Sequence, residues 1–239
     1  MITHALVLAA GLGTRLLPLT LDRAKPAMPI GGVPIIRRII TWLVREGVTD
    51  LVVNLHHAPE TITAIVGDGS DLGARVRYSW EQPVVLGSAG GPRHALPIIG
   101  ATAFFIVNGD TLTDLSLSSV AAAHVATHAL VTMALVPNRA PDRYGGVRMG
   151  EDGQISGFVS RGTQAVGSYH FIGVQVAQSE VFADLKDGEV INSTRGVYDI
   201  LIASQPGSIR GYLCEAAFWD IGTPEDYAAT DAHFRSVRP

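Results

Sequence analysis

The stretch Ala5-Leu6-Val7-Leu8-Ala9-Ala10-Gly11-Leu12-Gly13-Thr14-Arg15-Leu16-Leu17-Pro18 decides the fold. Its apolar opening, Ala5 to Ala9, reads as a buried strand, and the glycines after it mark a sharp turn. The opening lacks a basic n-region and is short for a secretory h-region, so a strand is predicted here, not a signal peptide. Three classes of glycine loop compete for the segment behind the strand. A dinucleotide fingerprint needs a third glycine at position 16 with a helix behind it, and Leu16 and Pro18 deny both. A Walker loop needs Gly-Lys-Ser/Thr, and no Gly-Lys pair occurs in the chain. There remains a loop whose backbone N–H groups approach a nucleoside triphosphate, with Arg15 and Lys25 supplying positive charge. Three prolines between Gly11 and Pro29 predict an ordered irregular loop instead of a helix.

Outward from this loop, apolar runs alternate with helical patterns. Strands are predicted at Asp50 to Leu55, Arg75 to Trp80 and Ala103 to Val107, with helices at Ile35 to Glu46, Glu60 to Val66 and Ala89 to Leu96. Alternation of this kind builds βαβ units and a mostly parallel sheet, whose ligands bind beyond the carboxyl ends of the strands. The second half is richer in strands: Leu130 to Val136, Gly146 to Met149, Ile155 to Val159, Tyr169 to Val176 and Ser208 to Cys214. Helices are expected at Ser179 to Leu185, Thr194 to Ala203 and from Pro224 onward. No repeat or linker interrupts the 239 residues, so one domain with an appended β-rich lobe is expected.

Composition sets the outer bounds. At 47% hydrophobic and 17% charged residues the chain can bury a large core, and a net charge of −4 argues against a nucleic-acid-binding face. A single cysteine, Cys214, cannot form an internal disulfide, and no apolar run reaches membrane-spanning length, so a cytoplasmic protein is expected. Of 18 basic residues only Lys25 and Lys186 are lysines. A lysine inside a dense motif of so lysine-poor a chain points to a chemical requirement.

Leu8 to Leu16, followed by Pro18-Leu19-Thr20, Lys25-Pro26 and Pro29-Ile30, resembles the signature of the sugar-1-phosphate nucleotidyltransferases. That family includes glucose-1-phosphate thymidylyltransferases, mannose- and heptose-1-phosphate guanylyltransferases and N-acetylmuramate-1-phosphate uridylyltransferase. Ala24 departs from its usual proline. The resemblance implies a Rossmann-like three-layer α/β/α fold with a mixed, mostly parallel sheet and a small β-rich sugar-binding lobe. The nucleotide-binding half would be residues 1–115 and the sugar-binding half 116–239. Nucleotide contacts are implied for Ala9, Ala10, Gly11, Gly13, Thr14, Arg15, Lys25, Gln82 and Gly87. Gly87-Ser88-Ala89-Gly90 resembles the guanylyl and uridylyl branches more than the thymidylyl one.

Two acids complete the expected site. Asp110 ends the apolar strand Phe104 to Gly109, and Asp220 precedes a helix start in which Thr223, Pro224 and Asp226 have ordinary capping duties. By resemblance, Asp110 and Asp220 hold Mg²⁺, an ion that suits one or two carboxylates plus substrate phosphate. Arg15, Lys25 and Asp110 are the catalytic candidates. Asn108, Gly146 of Arg143-Tyr144-Gly145-Gly146-Val147, and Arg161 are the sugar-phosphate candidates. Arg161 stands in Ser160-Arg161-Gly162, where the family has Glu-Lys-Pro, so its role as replacement for the family lysine is left open.

The implied reaction is in-line attack of a sugar-1-phosphate oxygen on the α-phosphorus of the triphosphate. An ionised phosphate needs no general base, in keeping with the lack of a Ser-His-Asp or Cys-His signature. A cytidylyltransferase acting on a non-sugar phosphate and a non-catalytic nucleotide-sugar sensor are the alternatives. Homo-oligomerisation and the identities of sugar and base stay open. His56-His57 and His124 with His128 are read as polar or structural residues, not zinc ligands, and Trp80 and Trp219 as core or pocket walls.

Overall fold

Strand β1 (His4–Leu8) is buried on both faces because it is central: β4 (Asp50–Leu55) and β6 (Ala103–Asn108) pair with it in parallel on either side. A computed structural model describes residues 2–237. In it, Ala5 and Val7 face one apolar layer and Leu6 the other, so the uninterrupted hydrophobic run of β1 reflects two-sided burial. Beyond β4 lies β5 (Arg75–Trp80), also parallel. On the other side β11 (Tyr169–Gln178) joins β6 antiparallel and carries the second half of the chain onto the same nine-stranded sheet. There β8 (Val131–Pro137) pairs with β11 and with parallel β12 (Ile209–Leu213), while β9 (Gly146–Met149) and β10 (Ile155–Val159) form the far edge.

Helices cover both faces. On one lie α1 (Ile35–Arg45), α2 (Pro59–Val66) and α4 (Leu117–Thr127), entered through the small ribbon β2 (Pro29–Ile30) and β3 (Val33–Pro34). Buried Ile35, Ile36, Ile39, Ile40 and Leu43 form the helical stripe of α1, and Gly47 at φ 83° ends it in the left-handed conformation a Cβ would disfavour. On the opposite face lie α3 (Gly87–Ile99), α5 (Glu180–Ala183) and α6 (Asp199–Ser204). Helix α7 (Pro224–Ser236) packs on the first layer, opened by the expected Thr223–Asp226 capping box.

Three predicted helices differ from the observed ones. Helix α3 extends beyond Ala89 to Leu96 at both ends despite Pro92 and Pro97, and the Ile191 carbonyl accepts its first-turn Ala89 and Gly90 N–H groups at 2.9 and 3.2 Å. The helix expected at 194–203 is a π-helix (Ser193–Tyr198) followed by α6, and the one expected at 179–185 is the single turn α5.

A short ribbon reaches out from the strand ends. Strand β7 (Thr111–Thr113) pairs antiparallel with β13 (Phe218–Asp220), so two segments about a hundred residues apart are held edge to edge beside Asp110. Gly109 makes the approach: its N–H donates to the Leu8 carbonyl at 2.9 Å, and a Cβ on it would sit 2.6 Å from that same oxygen. Gly109→Ala is therefore expected to prise β6 from β1 and cost roughly 1–3 kcal/mol, the scale of overpacking a tight site. Chemical denaturation measures it, and a wild-type midpoint would show that the strand ends have slack.

Candidate active site

Because β1, β4 and β6 run in parallel register, Leu8 lies opposite both Asn54 and Asn108, and the loops behind them open at one edge. A cavity of about 350 Å³ occupies that edge. Ala9, Ala10, Gly11, Gly13, Thr14, Arg15, Lys25, Gly87, Asn108 and Asp110 all line it. The glycine loop is irregular, as expected, apart from single 3-10 turns at Thr14–Leu16 and Lys25–Ala27. Gly13 takes φ 65°, and buried Thr20 pins the loop by donating its hydroxyl to the Gly13 carbonyl at 2.8 Å.

The charges meet around Asp110. Lys25, 7% exposed, places Nζ 2.6 Å from Asp110 Oδ2. The ribbon brings Asp220 alongside: it pairs with Thr111, and the Ile221 N–H donates to the Asp110 carbonyl at 3.1 Å. Burial raises the Asp220 carboxyl above the usual range and the negative charge of Asp110 raises it further, against the opposing pull of Lys25, Arg15 and Arg143. Two neighbouring carboxylates make an oxygen-only donor set for a hard divalent cation. Among the described residues no cluster of three or more His, Cys, Asp or Glu forms a metal site by itself, so substrate or water oxygens would have to complete the coordination.

Gly146 lies in a second cavity of about 390 Å³ with Ser160, Thr194 and Arg195 on its wall. Arg161 is exposed and lies outside that wall. Arg195, brought in by the π-helix, donates to Ser160 Oγ at 3.4 Å. His170 lines both this cavity and a further one of about 670 Å³ and packs against Tyr144 and Phe218 in a three-ring cluster, with centroids at 4.1 and 5.1 Å. Burial pushes the His170 imidazolium down to about 4, so the ring is neutral near pH 7. Arg143 ties this loop to α7 through Asp226 at 2.7 Å.

Gln82 is exposed and does not line the main cavity; Asp220 approaches from its rim, where Gly222 forms part of the lining. The histidines read as structural do bond locally: His56 to the Glu81 carbonyl, His57 to that of Thr20, and buried His124 to Thr132 and Gln178. Trp80 is 49% exposed beside Tyr78 and is no core residue, because β5 is an edge strand, whereas Trp219 stacks on His233 behind the ribbon. Sequence reasoning missed Asn54, Glu81 and Arg195. The first two could have been found by the strand-end logic that found Asp110, since each stands at or just after the end of a strand.

The nucleotidyl transferase family model matches residues 4–236. The mannose-1-phosphate guanylyltransferase of Mycobacterium tuberculosis is 30% identical over all of this chain and 67% of its own length. The N-acetylmuramate alpha-1-phosphate uridylyltransferase of Neisseria meningitidis is 32% identical over 78% of this chain and 80% of its own. Crystalline HddC from Yersinia pseudotuberculosis superposes with a TM-score of 0.84, covering 98% of this chain and all of that one at 24% identity. The chain belongs to the nucleotidyl transferase family. Its three-layer architecture is that of the nucleotide-diphospho-sugar transferases expected from the motif.

The Lys25–Asp110 contact carries a prediction. Lys25→Met is expected to cost about 1–3 kcal/mol, below the full penalty for breaking a buried pair because the Asp110 side chain keeps 29% exposure. Adding Asp110→Asn should restore most of that stability by removing the orphaned charge, while turnover stays lost. With Asp110→Asn also measured alone, a double-variant loss in thermal denaturation equal to the sum of the two single losses would mean that the side chains are energetically independent.

Proposed function

We propose that this enzyme transfers a nucleoside monophosphate from a nucleoside triphosphate to a sugar 1-phosphate. The convergence of Arg15, Lys25, Asp110 and Asp220 where the parallel strands end carries this reading. The relatives, guanylyl- and uridylyltransferases by name, support it. An acceptor phosphate oxygen attacks the α-phosphorus, the bond from that phosphorus to the oxygen bridging to the β-phosphate breaks, and pyrophosphate leaves. Arg15 and the loop N–H groups between Ala9 and Thr14 bind and orient the triphosphate. Lys25, anchored on Asp110, stands where charge builds up. Catalysis then rests on positioning and on neutralising charge, not on a proton-abstracting base. Asp110 and Asp220 would hold a divalent cation such as Mg²⁺, which would neutralise phosphate charge and align the reacting oxygens.

The base side is assigned to Gly87 and, from the rim, Gln82, with guanine or uracil favoured. Asn108, Gly146 and a cation take the acceptor. Arg195 suits that last role better than Arg161, since it lines the Gly146 cavity. No helix among the described residues is long and apolar enough to cross a membrane, and the substrates place the enzyme in the cytoplasm by this reading.

A matrix of the four NTPs and dTTP against sugar 1-phosphates and phosphocholine, read by pyrophosphate release, tests the proposal. One or a few sugar phosphates should be strongly preferred. Turnover with phosphocholine alone, or ligand binding without any metal-dependent turnover, would overturn it. Asp220→Asn should leave the fold intact and lower kcat about 10²–10³-fold, the scale of losing a key electrostatic group; near-wild-type turnover would remove Asp220 from the site. For the acceptor, Arg195→Ala should raise the sugar-phosphate KM at least tenfold with the nucleotide KM within twofold, and Arg161→Ala should change neither. The opposite ranking would return the anchor to Arg161.

A further inference from the structure

The interior of the nucleotide cavity holds a carboxylate that none of this chemistry uses. Glu81 is fully buried, lines the cavity and makes no ion pair among the described residues. Its two oxygens are nevertheless both engaged: Oε1 accepts from Asn54 Nδ2 at 2.6 Å and Oε2 from the Leu86 N–H at 2.7 Å. Asn54 in turn accepts the Ala9 N–H on Oδ1 at 2.6 Å. Room for this cluster depends on Gly91, where a Cβ would lie 2.5 Å from Glu81 Oε1 and 3.0 Å from Asn54 Nδ2.

We infer that Glu81 is a positioning residue for the nucleotide: it sets the polarity of a hydrogen-bond chain that holds the start of the glycine loop and the turn before Gly87 at a fixed separation. A carboxylate only accepts, so Asn54 must turn its NH2 toward Glu81, and that leaves its oxygen for Ala9. One anionic group thus orients the exits of β1, β4 and β5 and the first residue before α3. A buried cluster of this kind is rigid only when every member is satisfied. An amide at position 81 cannot satisfy it. Its NH2 would face either the Leu86 N–H or the Asn54 NH2, and an Asn54 flipped to accept would present its own NH2 to the Ala9 N–H. Aspartate at position 54 repairs the mismatch, because it accepts both from the amide introduced at position 81 and from Ala9, while the amide oxygen takes Leu86.

The inference rests on the triphosphate reading of the cavity, and the test separates the two. Binding of GTP and UTP to the wild-type chain, without acceptor, is measured first by calorimetry; if neither NTP nor any other binds, the functional reading fails. Given wild-type binding, Glu81→Gln should weaken the Kd and raise the KM for the preferred NTP at least tenfold, with the sugar-phosphate KM within twofold. Asn54→Asp, which sets two carboxylates against each other, should weaken NTP binding similarly. The double variant Glu81→Gln/Asn54→Asp should return within about threefold of wild type. A merely structural role would instead shift the melting temperature and both KM values together, with no rescue. Wild-type NTP affinity in Glu81→Gln, or a double variant binding no tighter than Asn54→Asp, overturns the inference, and the second comparison decides even where Glu81→Gln alone does not fold.

Discussion

Parallel pairing of β1 with both neighbours in one register is the constraint on which the site depends. It places Leu8 between Asn54 and Asn108 and releases three loops at the same edge. A one-residue slip in either pair would exchange the residues that face the two apolar layers and would move the strand ends out of alignment. The two apolar layers that fix the register, Ala5 and Val7 against one and Leu6 against the other, therefore also fix the site. Core packing and ligand geometry are in this sense one specification, and the polar residues at the strand ends inherit their accuracy from the apolar residues behind them.

Charge is distributed over this frame locally. A chain of net charge −4 does not attract an anion by its overall field, and on the proposed reading Arg15 and Lys25 would do so at short range. Lys25 offsets its burial by pairing with Asp110, and the ribbon brings a second carboxylate, Asp220, alongside. Burial first, and the charge of Asp110 second, raise the Asp220 carboxyl against the pull of the neighbouring cations. Positive charge added at this point, by whatever ligand carries it, relieves repulsion already present in the folded chain.

Sequence patterns reveal the elements that obey a single period and carry dense local motifs. The central strands, α1 and the capping box at Thr223 are of this kind, and the glycine loop announces its ligand class by excluding its competitors. The β7–β13 ribbon is not legible, because strands of three residues show no period and their pairing is decided by chain closure over long separation. Pro97 makes helix α3 read as ending at Leu96, and Gly87 and Ser88 read as a turn although the Ile191 carbonyl accepts first-turn N–H groups there. Glu81 is overshadowed by its neighbour Gln82, since a charged residue close to a proline reads as part of a solvated turn. Arg195 stays hidden from motif reading for a related reason. Motif spacing points to the residue at the end of β10, whereas the π-helix brings a residue from much later in the chain to the same cavity, with Arg195 reaching Ser160 itself.

In the second cavity the wall around His170 is aromatic, while Asp199 and Arg195 supply charge elsewhere on its lining. His170 is held uncharged by burial between Tyr144 and Phe218, and Arg143 engages its guanidinium with Asp226 and the face of Tyr144. An aromatic face can flank the ring of a sugar. Cationic side chains line both cavities, Arg195 in one and Lys25 and Arg15 in the other. On the proposed reading a sugar phosphate would lie with its charged end toward these cations and its ring toward the aromatic wall. That polarity orients the acceptor before any chemistry begins, which is the main contribution open to an enzyme whose nucleophile is already ionised.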